Sequence, residues 1–199
     1  LFYVELFHIQ NEKIQITFSV GIAKEKLNLF TKADIALHHS KENKSRVSTY
    51  KENANIEKKY KQNIAMATSI REALMNNRII CHYQPIVNAS TNEIDKYETL
   101  VRMIDKNGLI IPPIEFLDIS KKTKLYSHIT LEVINQACNT FENRSENFSV
   151  NLSIDDIKDP NTVYEIVKAI TTTKTASRII FEILESEGIE NYKEVSDFI

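Results

Sequence analysis

The chain has 199 residues, 42% apolar and 26% charged, with a formal net charge of -2. That is enough apolar material for a sizeable core, and the mild charge gives no sign of a basic nucleic-acid face or a polybasic membrane patch. Glycine is scarce, with 3 residues where average usage gives roughly 14, so a glycine-rich phosphate loop, a dinucleotide fingerprint and a collagen repeat are all excluded.

In chain order, residues 1–50 read as a small α/β unit. Phe7, His8 and Ile9, a polar turn, and then Ile14, Ile16, Phe18 and Val20 in alternation predict a hairpin. A helix is expected over 31–41, with Thr31 as its cap and Ala33, Ala36, Leu37 and Ser40 on one face. A short strand is expected over 47–50. Residues 51–77 contain no Gly or Pro, and Ile56, Tyr60, Ile64, Ala67, Ile70 and Leu74 recur every three or four positions. That spacing predicts one long amphipathic helix linking two units, with Tyr60 and Lys58-Lys59 on its solvated face.

Residues 78–199 alternate between strand and helix patterns. Strand-like runs over 78–87 and 93–104 flank the polar cluster 88–92 and predict an antiparallel hairpin. Helices are expected around 115–122 and over 127–141, a strand over 147–152, and a helix from Pro160 capped by Asp159. Val163, Ile166, Val167 and Ile170 would form that helix's buried stripe. A strand over 178–184 and a last helix near Glu190 complete the pattern. Strand, helix, strand, helix points to parallel βα units, as an open sheet or a barrel.

Period-2 alternation sorts the strand residues by face. Glu98, Leu100 and Arg102 share one face of their strand. Ser149 and Asn151 share one face of theirs, and Glu182 lies opposite Phe181 and Ile183. Gln84 shares a face with His82 and Ile86. In a barrel the polar face is the interior, and its C-terminal rim is where barrel active sites sit. Two carboxylates and an amide oxygen there suit a hard cation such as Mg2+ or Mn2+, which would relieve the repulsion between Glu98 and Glu182. The planar fork of Arg102 suits a phosphate. His38-His39 read as exposed, His82 as a packed or rim histidine, and Cys81 and Cys138 as core thiols. Two such thiols make no disulfide framework and fit a reducing, cytoplasmic compartment. No apolar stretch approaches the roughly 20 residues that span a bilayer, so no membrane contact by this segment is expected. The start has no initiator Met and no signal-peptide features, and the chain reads as a piece of something longer.

Four segments in order carry a resemblance. They are Tyr83-Gln84-Pro85-Ile86-Val87, Tyr97-Glu98-Thr99-Leu100-Val101-Arg102, Ser149-Val150-Asn151-Leu152-Ser153 and Phe181-Glu182-Ile183-Leu184-Glu185-Ser186. Together they resemble the EAL family of cyclic-di-GMP phosphodiesterases. Upstream, Ile16-Thr17-Phe18-Ser19-Val20-Gly21-Ile22-Ala23 and Ala33-Asp34-Ile35-Ala36-Leu37, followed by Ser40-Lys41, resemble the last third of a GGDEF domain.

The resemblance implies an α/β chain built from the tail of a GGDEF domain (1–50), a linker helix (51–77) and the first half of an EAL domain (78–199). The EAL fold is a modified (βα)8 TIM barrel with an antiparallel first strand. The resemblance makes Glu98, Asn151 and Glu182 metal ligands for Mg2+ or Mn2+. It makes Gln84, Leu100 and Arg102 contacts to the dinucleotide, Glu185 a loop-steadying carboxylate, and Lys41 part of a vestigial nucleotide site. The implied chemistry is metal-assisted hydrolysis of cyclic-di-GMP to linear pGpG, in a bacterial signalling protein that can be membrane-anchored elsewhere.

Three departures bear on it. The signature reads Glu-Thr-Leu rather than Glu-Ala-Leu, at a position facing the helix layer. The family's later motifs, an Asp-Asp pair, a Lys near the attacking water, and a further Glu and Gln, fall outside residues 1–199, so this segment alone is expected to be inactive. The GGDEF signature is missing, and Lys44-Ser45-Arg46 stands where that family has Gly-Arg-Asn. A non-catalytic cyclic-di-GMP receptor and an interaction module are therefore carried beside the enzyme. Half a barrel would expose an open edge, so a homodimer or domain-swapped oligomer is expected.

Overall fold

The expected hairpin and short third strand of the first 50 residues resolve into four short strands, because the second run of the hairpin divides. β1 (Leu6–Ile9) and β2 (Glu12–Gln15) pair antiparallel, with Phe7 opposite Ile14. Val20 does not continue that hairpin. It opens β3 (Val20–Ile22), which pairs in parallel with β4 (Val47–Thr49) across α1 (Leu29–Glu42). A parallel pair needs a crossover, and the helix supplies it. The structure, a computed structural model, describes residues 6–9, 12–15, 18–24, 27–43, 45–51, 54–183, 195, 196 and 198. The expectations that fall on Ile16, Lys44, Glu185 and Glu190 lie outside these residues. The chain divides into two compact units, Leu1–Asn63 and Ile64–Ile199.

In the first unit α1 begins before the expected Thr31 cap. Asn28 holds the N-cap position in a left-handed conformation (φ 56°) with no side-chain cap bond. Gly21 explains how β3 reaches α1. A Cβ there would stand 2.2 Å from the Ala33 carbonyl oxygen and 2.3 Å from the Leu37 nitrogen, so only glycine permits the approach. Ile35, Ala36 and Tyr50 form a small core, with Ile56 and Tyr60 of α2 (Ala54–Met75) packed against it. Tyr60 is thus a packing residue, which corrects the solvated-face reading. Its hydroxyl donates to the Asp34 carboxylate, and its ring meets His38 edge-on at 5.6 Å. That acceptor pushes the Tyr60 phenol up to about 12. Lys58 and Lys59 are exposed, and Lys59 pairs with Glu42 at 3.3 Å.

In the second unit β5 (Ile79–Val87) and β6 (Ile94–Ile104) form the antiparallel hairpin. The Asn88 side chain closes the turn by accepting from the Ser90 and Thr91 amides. β6 then pairs in parallel with β8 (Asn147–Leu152), and β8 with β9 (Ile179–Ile183). The strand order is β5-β6-β8-β9, with β7 (Ile110–Ile111) on the far end of β6. α3 (Pro113–Lys122) and α4 (Tyr126–Phe141) connect β6 to β8, and α5 (Ile154–Lys158) and α6 (Pro160–Thr172) connect β8 to β9. β7 and α5 are too short for periodicity to reveal.

One side of this sheet is the core. Phe148 and Val150 of β8 and Met103 of β6 are buried against Ile134, Ala137, Cys138 and Phe141 of α4. Phe141 stacks on Phe148 at 4.5 Å, and Tyr83 meets it edge-on at 5.2 Å. Each such side chain, fully buried, contributes roughly 1.5–3 kcal/mol. Arg178, just before β9, donates to the carbonyls of Phe141 (2.9 Å) and Glu142 (3.4 Å), so a cation closes the C-terminus of α4. The stripe of α6 differs from expectation. Val167 is exposed, while Thr162 is buried with Ile166. The Thr162 hydroxyl donates to Asp159 at 2.6 Å, which removes the cost of burying it.

Three helices share one ending. After α2, Arg78 N–H donates to Ala73 O, after α3 Leu125 N–H donates to Ser120 O, and after α6 Thr175 N–H donates to Ile170 O. The residue before each donor is left-handed, Asn77 at φ 53°, Lys124 at 57° and Lys174 at 56°. These are Schellman endings in which glycine is the usual occupant, and this glycine-poor chain uses Asn and Lys instead.

Candidate functional site

The register brings the sequence-selected residues onto the sheet face opposite the core. Gln84 stands opposite Glu98, and Glu98 opposite Ser149. One row on, His82 stands opposite Leu100 and Asn151 opposite Glu182. Arg102 follows on β6, opposite Ile80. Between these rows Thr99 and Val150 point to the other side and are buried. Glu98, Asn151 and Glu182 therefore occupy three neighbouring strands of one face. Asn151 and Glu182 are direct neighbours, and Glu98 is one diagonal step of roughly 8 Å away.

The face is partly open to solvent. Gln84, His82 and Asn151 are exposed, Glu98, Leu100 and Arg102 are half-buried, and Ser149 is buried. The Arg102 guanidinium is turned onto its own neighbour, donating from Nη1 to the Val101 carbonyl at 2.8 Å. Glu182 is held by a residue that strand-by-strand reading missed. Lys96 Nζ reaches across β8 and lies 2.8 Å from Glu182 Oε1. The Lys96 ammonium is the main reason the Glu182 carboxyl sits below its usual range. One signal was available in the sequence, since Lys96 shares the parity of Glu98 on β6.

Ser153, the last residue of the third motif, has a structural task. Its hydroxyl and amide exchange bonds with Asp156 in a capping box that starts α5. Thr130 of α4 donates to the same carboxylate at 3.0 Å, which ties α4 to α5. β6 and β8 separate after the Thr99–Val150 pair. A cavity of about 320 Å3 opens there, lined by Leu100 and Asn151 from the strands, by Ser153 at the cap of α5, and by Leu117, Tyr126 and Thr130 from α3 and α4. Lys41 lies in the other unit, exposed in the last turn of α1. Glu185 lies outside the described residues.

The donor set on this face is oxygen only, two carboxylates and an amide carbonyl, which matches the preference of Mg2+ and Mn2+. The Ser149 hydroxyl is buried on β8 beside Glu182 and, after Lys96, helps to hold that carboxyl below its usual range. Glu182 already binds a cationic group. The residues present fit a hard cation, although among the described residues no group of three or more His, Cys, Asp or Glu is drawn together as a metal cluster.

The EAL domain family matches residues 67–199, and the chain belongs to that family. The signaling protein YkoW of Bacillus subtilis is 32% identical over 139 residues, which cover 66% of this chain and 17% of that protein. The bifunctional diguanylate cyclase/cyclic di-GMP phosphodiesterase MucR of Pseudomonas aeruginosa is 25% identical, over 93% of this chain and 29% of that protein. Among solved structures, the FimX EAL domain of Xanthomonas citri in complex with c-diGMP superposes with a TM-score of 0.63 at 20% identity, covering 71% of this chain and 57% of that one. That likeness establishes the fold. The chain spans 17% to 29% of these curated relatives' own length. Among the described residues no helix is long and apolar enough to cross a membrane.

Proposed function

We propose that this chain is the front part of an EAL-type cyclic-di-GMP phosphodiesterase acting in the cytoplasm, which adds water across one phosphodiester to give linear pGpG. The observation that carries the reading is the placement of Glu98, Asn151 and Glu182 on one face of three adjacent strands. A bound Mg2+ or Mn2+ would polarise the phosphate and activate water. Glu98 and Glu182 would hold that charge, and Asn151 would add a neutral oxygen. Arg102 would leave the Val101 carbonyl to grip a phosphate through its fork, while Gln84 and Leu100 flank the dinucleotide. Glu185 would steady the loop after β9. The match to MucR spans 93% of the chain, which supports reading residues 1–50 as the tail of a GGDEF domain, with Lys41 its vestigial nucleotide contact and 51–77 the connecting helix.

Mg2+-dependent release of pGpG by the full-length protein that carries this chain, compared with its Glu98→Ala variant, tests this. The variant is expected to lose at least about 100-fold in rate, as ligand-shell changes do. Equal activity of the two proteins would remove Glu98 from the metal site. A second reading, a cyclic-di-GMP receptor that does not hydrolyse its ligand, is favoured by one observation: Glu182 is paired with Lys96. Retained ligand binding without pGpG release would select it. The chain is also proposed to form a homodimer or domain-swapped oligomer. Light scattering that finds only a monodisperse monomer would count against that.

A further inference from the structure

We infer that Lys96 is a built-in competitor for the cation that Glu182 would hold, so that metal loads onto this face only as the Lys96–Glu182 pair opens. The inference rests on the metal-site reading of Glu98, Asn151 and Glu182.

Its basis is geometric. Lys96 and Glu98 lie two residues apart on β6 and share a face. The Lys96 side chain does not stay beside its own strand. It spans β8 and places Nζ 2.8 Å from Glu182 Oε1 on β9. Both side chains are partly shielded, at 23% and 36% exposure, and the buried Ser149 hydroxyl lies on the β8 strand they bridge. Among the described residues Glu98 makes no comparable ion pair. One carboxylate of the proposed pair of ligands is therefore open, and the other already carries a cation.

The chemistry follows from charge. A dication taken by Glu182 would stand within a few ångströms of the Lys96 ammonium. Like charges at that distance repel, and repulsion is stronger at a half-buried site than in bulk water. The ammonium must therefore swing away before the cation settles, and the lost ion pair is subtracted from metal affinity. Lysine suits this task because its flexible stem lets a point charge leave without moving the strand. The expected sign is clear. Removing the charge at position 96 tightens metal binding, and moving it onto arginine does not.

The test is a Mn2+ binding isotherm by calorimetry on the wild-type protein, Lys96→Gln, Lys96→Met, Lys96→Arg and Glu182→Gln. Circular dichroism melts confirm that each variant is folded. Both neutral variants are expected to bind Mn2+ about two- to fivefold more tightly, the scale of an exposed ion pair. Lys96→Arg should stay close to wild type, and Glu182→Gln should weaken binding. If Glu182→Gln loses Mn2+ while the neutral variants match wild type, the role of Lys96 is overturned and the metal site stands. If Glu182→Gln binds Mn2+ as well as wild type, or neither wild type nor the neutral variants bind it, the metal-site reading fails and this inference with it.

Discussion

Thr99 stands where the resembled family signature has alanine. Its side chain is 2% exposed, on the core side of β6, and its hydroxyl has no hydrogen-bond partner among the described residues. An unpaired buried hydroxyl costs free energy, so Thr99→Ala should raise stability by about 1 kcal/mol, read from the urea midpoint. A loss of stability would mean that the hydroxyl is satisfied. The two thiols behave differently from surface cysteines. Burial pushes the Cys81 thiol up to about 12 and raises Cys138 as well, and Cys138 is fully buried. The thiolate is the reactive form, so both should resist alkylation at pH 8 in the folded protein and react quickly in denaturant. For Glu182 the direction is opposite. Its carboxyl is lowered by Lys96, so the pair stabilises the fold above the ordinary carboxylate range and that gain fades as pH falls through the lowered value. Because both partners are partly exposed, the contribution is at most about 1 kcal/mol. The stability difference between wild type and Glu182→Gln should therefore shrink from pH 7 to pH 3. A difference independent of pH would assign it to packing.

At the scale of the element, the scarcity of glycine leaves a mark on the helix ends. Lys124 and Lys174 hold left-handed positions after α3 and α6. An L-residue other than Asn pays a steric cost there that glycine does not. Lys124→Gly and Lys174→Gly should each stabilise the protein by about 0.5–1 kcal/mol, after allowing for the extra entropy of an unfolded glycine. Gly21→Ala should do the reverse, because its Cβ meets the backbone of α1. Paired thermal melts of the three variants check both signs. The longer helices and the β5–β6 hairpin are legible because each carries its own periodicity over nine or more residues. β7 and α5 are not, being two and five residues long. Val20 opens β3 rather than extending the β1–β2 hairpin, because alternation says which way a side chain points and nothing about which strand lies alongside.

At the scale of the whole molecule, the two units have very different cores. Among the described residues the first is built on Ile35, Ala36 and Tyr50, while the second centres on the Phe141–Phe148 stack and the buried face of α4. Amide exchange should therefore be slowest in α4 and β8 and faster in α1, β3 and β4, since protection follows buried apolar contact. Equal protection in both units would refute this ordering.

The sequence by itself determined the EAL family, the order of the longer strands and helices in the second unit, and which residues share a strand face. These follow from local periodicity and from motifs read within a few residues. Only the tertiary structure decided what those faces meet. Lys96 and Glu182 are 86 residues apart in the chain, and Tyr60 and Asp34 are 26 apart. No local pattern encodes such pairs, because they depend on sheet order, strand register and the reach of a side chain across an intervening strand.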